Sequence, residues 1–280
     1  MKINVCYSTN ENFAKYTAVS IVSLLENNSS SEIFVHILYS DLNKNTILKL
    51  IKFENIYNNA KIVFHKIDET RFEKFGLVIA HTTKETYFRY LIAEVLSEID
   101  RVLYLDGDTV VNGDISDLFK IDISGYYCAG VEDIWISESN YKKEIGMTGI
   151  YINTGVVLFN IEEIRRAGII EKLFQMSLEN SFKLQDQDVI NIVFDGKIKE
   201  LDCIYNFKRT HQKRFPDKLK LAKIIHFVGP SKPWKKKSFN PCKLYYYKYE
   251  PISPLYIGIK GFFSKLHRYF ARCLLMMNKM

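Results

Sequence analysis

Short runs rich in Val, Ile, Tyr and Phe alternate along this chain with stretches of helical period. The runs at 3–8 (INVCYS), 33–40 (IFVHILYS), 61–67 (KIVFHKI), 101–106 (RVLYLD), 126–132 (YYCAGVE), 154–160 (TGVVLFN) and 223–228 (KIIHFV) predict strands. Between them, 13–27, 43–54, 84–97, 162–180 and 186–194 space their apolar residues as helices do. Such alternation predicts an α/β fold, a mostly parallel, Rossmann-like sheet flanked by helices. Ligands of such sheets gather outside the carboxyl ends of the strands, where Asp106 stands. No repeat or low-complexity linker breaks the pattern before residue 250, so 1–250 reads as one domain and 251–280 as a tail. In the tail, Phe262, Phe263, Leu266, Tyr269, Phe270, Cys273, Leu274 and Met277 share a broad helical face, with Lys265, Arg268, Arg272 and Lys279 mostly off it. That predicts a C-terminal basic amphipathic helix, lying on an anionic membrane surface or docked on the domain.

The stretch VLYLDGDTVV (102–111) carries the first chemical signal. In extended backbone, residues i and i+2 point to one side, so Asp106 and Asp108 can aim two carboxylates at one point. Bare carboxylates that close repel, and burial penalises their charge; a divalent cation removes both costs. Gly107 lets the backbone approach what is bound. The plain alternative is a loop pair capping the following DISDLF, for which Asp114 is the better placed residue. Two enzyme classes write this string: metal-dependent phosphohydrolases of the haloacid dehalogenase type, and transferases that hold a metal on a sugar nucleotide. Three predicted strands precede Asp106, whereas the phosphohydrolase pattern opens the first strand of its core.

Composition narrows the setting. The chain has 280 residues, 47% hydrophobic and 25% charged, enough for a sizeable packed core. Five scattered cysteines without a C-x-x-C pair, no secretory leader pattern and no long apolar run lead us to expect a cytoplasmic protein. The formal charge of +7 concentrates in SKPWKKK (231–237) and the last twenty residues. Nothing resembles zinc spacing or an RNA-binding stretch, so an anionic small molecule or membrane face fits better than nucleic acid.

Read together, blocks from about residue 3 to 240 resemble glycosyltransferase family 8. These are retaining enzymes of the GT-A fold, among them bacterial lipopolysaccharide galactosyl- and glucosyltransferases. VCYSTNENFAKY (5–16) is similar to the family's nucleotide-binding opening, which implies that Ser8, Asn10 and Asn12 meet uridine and ribose. Asn10 departs from the acidic residue common there; without the family, Asn10 and Asn12 read as a loop capping the helix from Phe13. HTTKETYFRYLIAEVL (81–96) implies His81 near the sugar or diphosphate and Arg89 toward the donor sugar and the aspartates. Alone, Arg89 reads as an ion pair with Glu85, four residues earlier. YINTGVVLFN (151–160) implies Asn153 and Thr154 at the donor sugar, with Gly155 permitting a turn. LQDQDVIN (184–191) implies Asp186 on sugar hydroxyls and Gln187 at the reacting face, with Asp188 as a supporting charge. IIHFVGPSKPW (224–234) implies His226 as third metal ligand and Gly229 and Lys232 at the phosphates.

The resemblance therefore implies a metal-assisted hexosyltransferase. Asp106, Asp108 and His226 would hold Mn²⁺, with Mg²⁺ able to substitute, and Gly107 would lie beside them. The donor would be a UDP-sugar carrying galactose or glucose, and the acceptor a glycan or lipid-linked saccharide. Asp186, Gln187 and Arg89 would serve catalysis, by front-face attack rather than through an amide nucleophile, and Asp133 would line the acceptor side. The expected place is the cytoplasm, peripheral on the inner face of the plasma membrane if the tail binds there. The readings set against it are the phosphohydrolase and a non-catalytic sugar-nucleotide-binding protein.

Overall fold

The computed structural model describes residues 1–77, 83–235 and 238–255. The C-terminal amphipathic helix expected from the tail lies outside the described residues, as does His81.

Nine strands form in chain order: β1 (Lys2–Ser8), β2 (Glu32–Tyr39), β3 (Ala60–Lys66), β4 (Arg101–Leu105), β5 (Thr109–Val111), β6 (Cys128–Glu132), β7 (Ile152–Asn160), β8 (Ile198–Glu200) and β9 (Ile224–His226). Seven make one sheet in the order β3-β2-β1-β4-β7-β6-β8. Only β7 runs against its neighbours. All nine residues of β7 are buried, as expected of a central strand covered on both faces. The mostly parallel α/β sheet expected from the alternation is therefore present.

Helices cover both faces. On one side, helix Ala14–Asn27 buries ten residues, from Ala14 through Leu25, against Val5, Leu103 and Val156. Tyr246, Tyr249 and Leu255 join the same core. On the other side, Phe72, Phe88, Leu91 and helix Asp186–Val193 pack on Cys6, Tyr104 and Phe159.

Two helical stretches and two strands differ from the periodicity. Residues 84–97 form a tighter 3₁₀ turn, Lys84–Leu91, before a single α-turn, Ile92–Val95. The stretch 162–180 is broken into Ile161–Ala167 and Ile170–Glu179 because Gly168 takes a left-handed φ of 62° and caps the first. Strands β5 and β8, three residues each, are too short to show a period, and they went unanticipated.

The small strands matter most. β5 and β9 form a separate antiparallel pair whose register sets Thr109 opposite His226. That pairing carries a histidine from late in the chain to the exit of β4.

Candidate active site

β4 ends in the apolar Leu105, and the backbone N–H of Asp106 still donates to Gly155 O on β7 at 2.8 Å. Beyond it the chain turns: the Thr109 N–H and hydroxyl both donate to Asp106 O, at 3.2 and 2.8 Å. The i, i+2 spacing of the aspartates predicts extended backbone here. The structure has a turn instead, which still brings the two carboxylates together.

His226 Nε2 lies 3.2 Å from Asp108 Oδ1 and 3.7 Å from Asp106 Oδ2. One donor atom from each of the three residues falls within 4.8 Å of the others, a grouping able to hold a metal ion. The imidazole is buried, and its Nδ1 is 3.0 Å from Asn206 Oδ1. That oxygen only accepts, so Nδ1 donates to it, and the ring is held with Nε2 turned toward the two carboxylates, the orientation a metal ligand needs.

A cation fits this corner on two grounds. Two carboxylates and one imidazole make a donor set suited to a hard or borderline divalent ion. The space is also kept open: a Cβ on Gly155 would come within 2.2 Å of His226 Cε1 and 2.5 Å of Asp106 Oδ2. Gly155 sits inside β7 and makes no turn; it is needed because the corner has no room for a side chain. Likewise, a Cβ on Gly107 would strike Thr17 Oγ1 at 2.4 Å. Gly107 thus lets helix Ala14–Asn27 approach, rather than only clearing backbone for a ligand. Burial opposes charge on Asp108, but Lys232 and His226 outweigh it and hold the carboxyl well below the usual carboxylate range. Lys232 Nζ bonds Asp108 Oδ2 directly and Phe227 O at 2.9 Å.

The buried guanidinium of Arg89 joins three segments. It donates to Asp106 Oδ1 at 2.9 Å, to Thr154 O at 2.6 Å and to Thr86 O at 2.8 Å, and Nε lies 3.2 Å from Asp186 Oδ2. The alternative pairing with Glu85 is not formed; Glu85 accepts from Ser40 instead. Asp186 accepts from Thr86 Oγ1 at 2.9 Å. Burial pushes its carboxyl up to about 6, against the pull of Arg89 and Thr86 and with a further push from Asp106.

Gln187 is held by its neighbours. Its Oε1 accepts from Asn153 Nδ2 at 2.8 Å and Thr154 N at 3.2 Å, and its Nε2 donates to Tyr151 OH at 3.2 Å. Asp188, fully buried, accepts from Tyr151 OH, Tyr141 OH and Leu184 N at 2.5, 2.6 and 2.8 Å. It ties the start of this helix to Tyr141 and Tyr151. Just before this helix, Gln185 takes φ 51° and ψ −122°, a strained backbone for a residue with a side chain.

A cleft of about 760 Å³ opens over this floor. Ser8, Asn10, Asn12, Arg89, Asp106, Gly107, Asp108, Asn153, Thr154, Asp186, Gln187, His226, Gly229 and Lys232 all line it, as does Asp133. Asn10 also does what its local pattern suggests, accepting from the Phe13 N–H at 3.0 Å. Asp133 pairs with Lys208 at 3.0 Å.

Residues 4–238 match the profile of Glycosyl transferase family 8. The chain belongs to this family. Among family relatives, it is 29% identical to the lipopolysaccharide 1,2-glucosyltransferase of Escherichia coli K12, over 87% of this chain and 76% of that one. It is 27% identical to the lipopolysaccharide 1,3-galactosyltransferase of Salmonella typhimurium, over 90% and 79%. The crystal structure of the galactosyltransferase LgtC, in complex with donor and acceptor sugar analogues, superposes with a TM-score of 0.80 at 23% identity, over 90% of this chain and 96% of that one. This likeness gives the GT-A fold. Family membership sets the phosphohydrolase reading aside.

Sequence reasoning in family 8 terms missed Asn206. It orients His226, and its Nδ2 donates to Asn153 Oδ1 at 3.0 Å, so one amide ties the metal corner to the Gln187 network. Nothing near Asn206 in the sequence marks it; the β9 pairing brings it there. Asn206→Leu should lower divalent-cation affinity about 10–100-fold, as loss of an orienting partner does. Calorimetric titration of Mn²⁺ in the presence of UDP reads this directly, and unchanged affinity would remove Asn206 from the site.

Proposed function

We propose that this chain transfers a hexose, galactose or glucose, from a UDP-sugar to a hydroxyl of a glycan or lipid-linked saccharide, with retention at the anomeric carbon. The observation that carries the reading is the convergence of Asp106, Asp108 and His226 at the floor of the cleft. Mn²⁺ is the proposed ion, with Mg²⁺ able to replace it; bound there, it would supply Lewis-acid stabilisation of charge on the departing diphosphate. The lipopolysaccharide glucosyltransferase and galactosyltransferase named above as relatives support the donor sugar and the acceptor class.

The protein's own groups divide the remaining work. Lys232 holds a positive charge beside Asp108, where the diphosphate oxygens would lie. Ser8, Asn10 and Asn12, at the mouth of β1, are proposed to take the nucleoside, and Gly229, with φ 82°, lets the chain bend past the phosphates. Arg89 locks Asp106 and Asp186 in fixed orientation, leaving Asp186 to accept from sugar hydroxyls. Gln187 Oε1 already accepts two hydrogen bonds, which makes it a poor nucleophile. This supports front-face attack, in which the acceptor hydroxyl gives its proton to the leaving phosphate oxygen. The peripheral membrane position rests on the tail sequence alone. Among the described residues, no helix is long and apolar enough to cross a membrane.

Thermal unfolding against UDP-glucose, UDP-galactose and UDP, with and without Mn²⁺, tests the proposal. A UDP-hexose at about 100 times its Kd should add about 2.7 kcal/mol, or roughly 5 °C for a chain of this size, only with the metal present. No metal-dependent shift with any UDP-hexose would contradict it. A shift without turnover on any acceptor would favour the non-catalytic binding protein.

A further inference from the structure

The cleft lining carries five cationic side chains. Three have carboxylate partners: Arg89 with Asp106 and Asp186, Lys208 with Asp133, and Lys232 with Asp108. The other two, Arg209 and Lys213, have no acidic partner among the described residues. They stand four apart on helix Arg209–Arg214, hence on one face of it, both exposed, while His211 is buried.

The cleft lining also includes an aromatic. Trp135 lines the same cleft and is 66% exposed. Its short helix, Ile134–Ser137, is fixed to the cationic helix at both ends, by Lys208–Asp133 at 3.0 Å and by Arg214–Glu138. The indole is left as a large exposed apolar surface at the cleft, on a short helix whose two flanking residues both pair with the cationic segment. A sugar ring presents an apolar C–H face to such a platform, and a guanidinium beside a lysine forms a fork for phosphate or carboxylate.

We propose that the acceptor is a saccharide bearing an anionic substituent, a phosphate monoester or a carboxylate, with its ring stacked on Trp135 and its anion held by Arg209 and Lys213. The inference rests on the transferase reading, since it assigns the acceptor end of that site. The diphosphate of the donor is already provided for by Lys232 and the metal corner, so two further unpaired cations call for a second anion. Because both cations are exposed, the contact is screened by salt.

The test uses the full chain with Mn²⁺ and UDP on an array of matched saccharides, each printed neutral, phosphorylated and as the uronic acid. Anionic members should be bound about tenfold or more tightly than their neutral partners, a preference that falls as salt is raised. Arg209→Ala with Lys213→Ala should abolish the preference. Trp135→Ala should weaken all three forms alike. UDP affinity, measured by calorimetry on the same samples, should change less than about twofold in the double variant. Phosphate outranking carboxylate, or the reverse, names the anion. Equal binding of neutral partners, no binding of any anionic member, or a double variant that loses UDP instead would overturn the inference. Failure of the wild-type chain to bind UDP contradicts the transferase reading itself, whereas intact UDP binding without anionic preference contradicts only this step.

Discussion

Asp108→Asn is expected to cut sugar transfer at least about 1000-fold while the protein stays folded. Asp108 is the most buried carboxylate of the metal corner, between His226 at 3.2 Å and Lys232. An amide there offers one neutral oxygen in place of a charged carboxylate, and its NH₂ group would turn toward the cation or toward Nε2 of His226. Either way the corner loses charge where it would hold the ion. The fold should lose only about 1–2 kcal/mol, because the amide oxygen still accepts from Lys232 and Lys232 keeps Phe227 O. Steady-state transfer with UDP-hexose, read beside thermal unfolding of the same sample, separates the two effects. Full turnover in Asp108→Asn would remove this residue from the mechanism.

Gly155→Ala should be nearly as damaging, though it touches no charge. The added methyl would need the space of the His226 ring edge and Asp106 Oδ2. Neither group yields easily: the ring is tied to Asn206, and Asp106 receives Arg89 at 2.9 Å and Tyr104 OH at 3.1 Å. We expect about 1–3 kcal/mol of overpacking cost and a loss of transfer of about 100-fold from displaced ligands. Mn²⁺ affinity should fall in parallel. A variant with lowered stability but intact Mn²⁺ affinity would show that β7 absorbs the methyl elsewhere and that the corner tolerates filling.

The long elements were legible in the sequence because their periods are long. Seven expected strands appear within about two residues of their bounds, and the sheet is mostly parallel as the alternation required. The aspartates were legible from local spacing, although their geometry is a turn and not extended chain. His226 was not legible by itself. A histidine after two isoleucines reads as a strand end, which it is; only its register opposite Thr109 makes it a neighbour of Asp108. That register depends on two three-residue strands, too short to leave a pattern. Asn206 and Gly155 were obscured for the same reason, since each acts through a contact that the fold creates. Gly155 looked like a turn glycine because sequence shows that a side chain is absent but not what occupies its space. Trp135, Arg209 and Lys213 belong to no sequence motif; only the fold brings them into the lining of one cleft.

The central claim is that one divalent cation is shared by Asp106, Asp108 and His226. Anomalous diffraction at the manganese edge, from crystals of the full chain grown with Mn²⁺ and UDP, tests it most directly. The account predicts a single strong peak at coordination distance from both carboxylates and from Nε2 of His226, with the diphosphate completing the shell. A peak that leaves His226 uncoordinated, or no peak in this corner while UDP is bound, would contradict it.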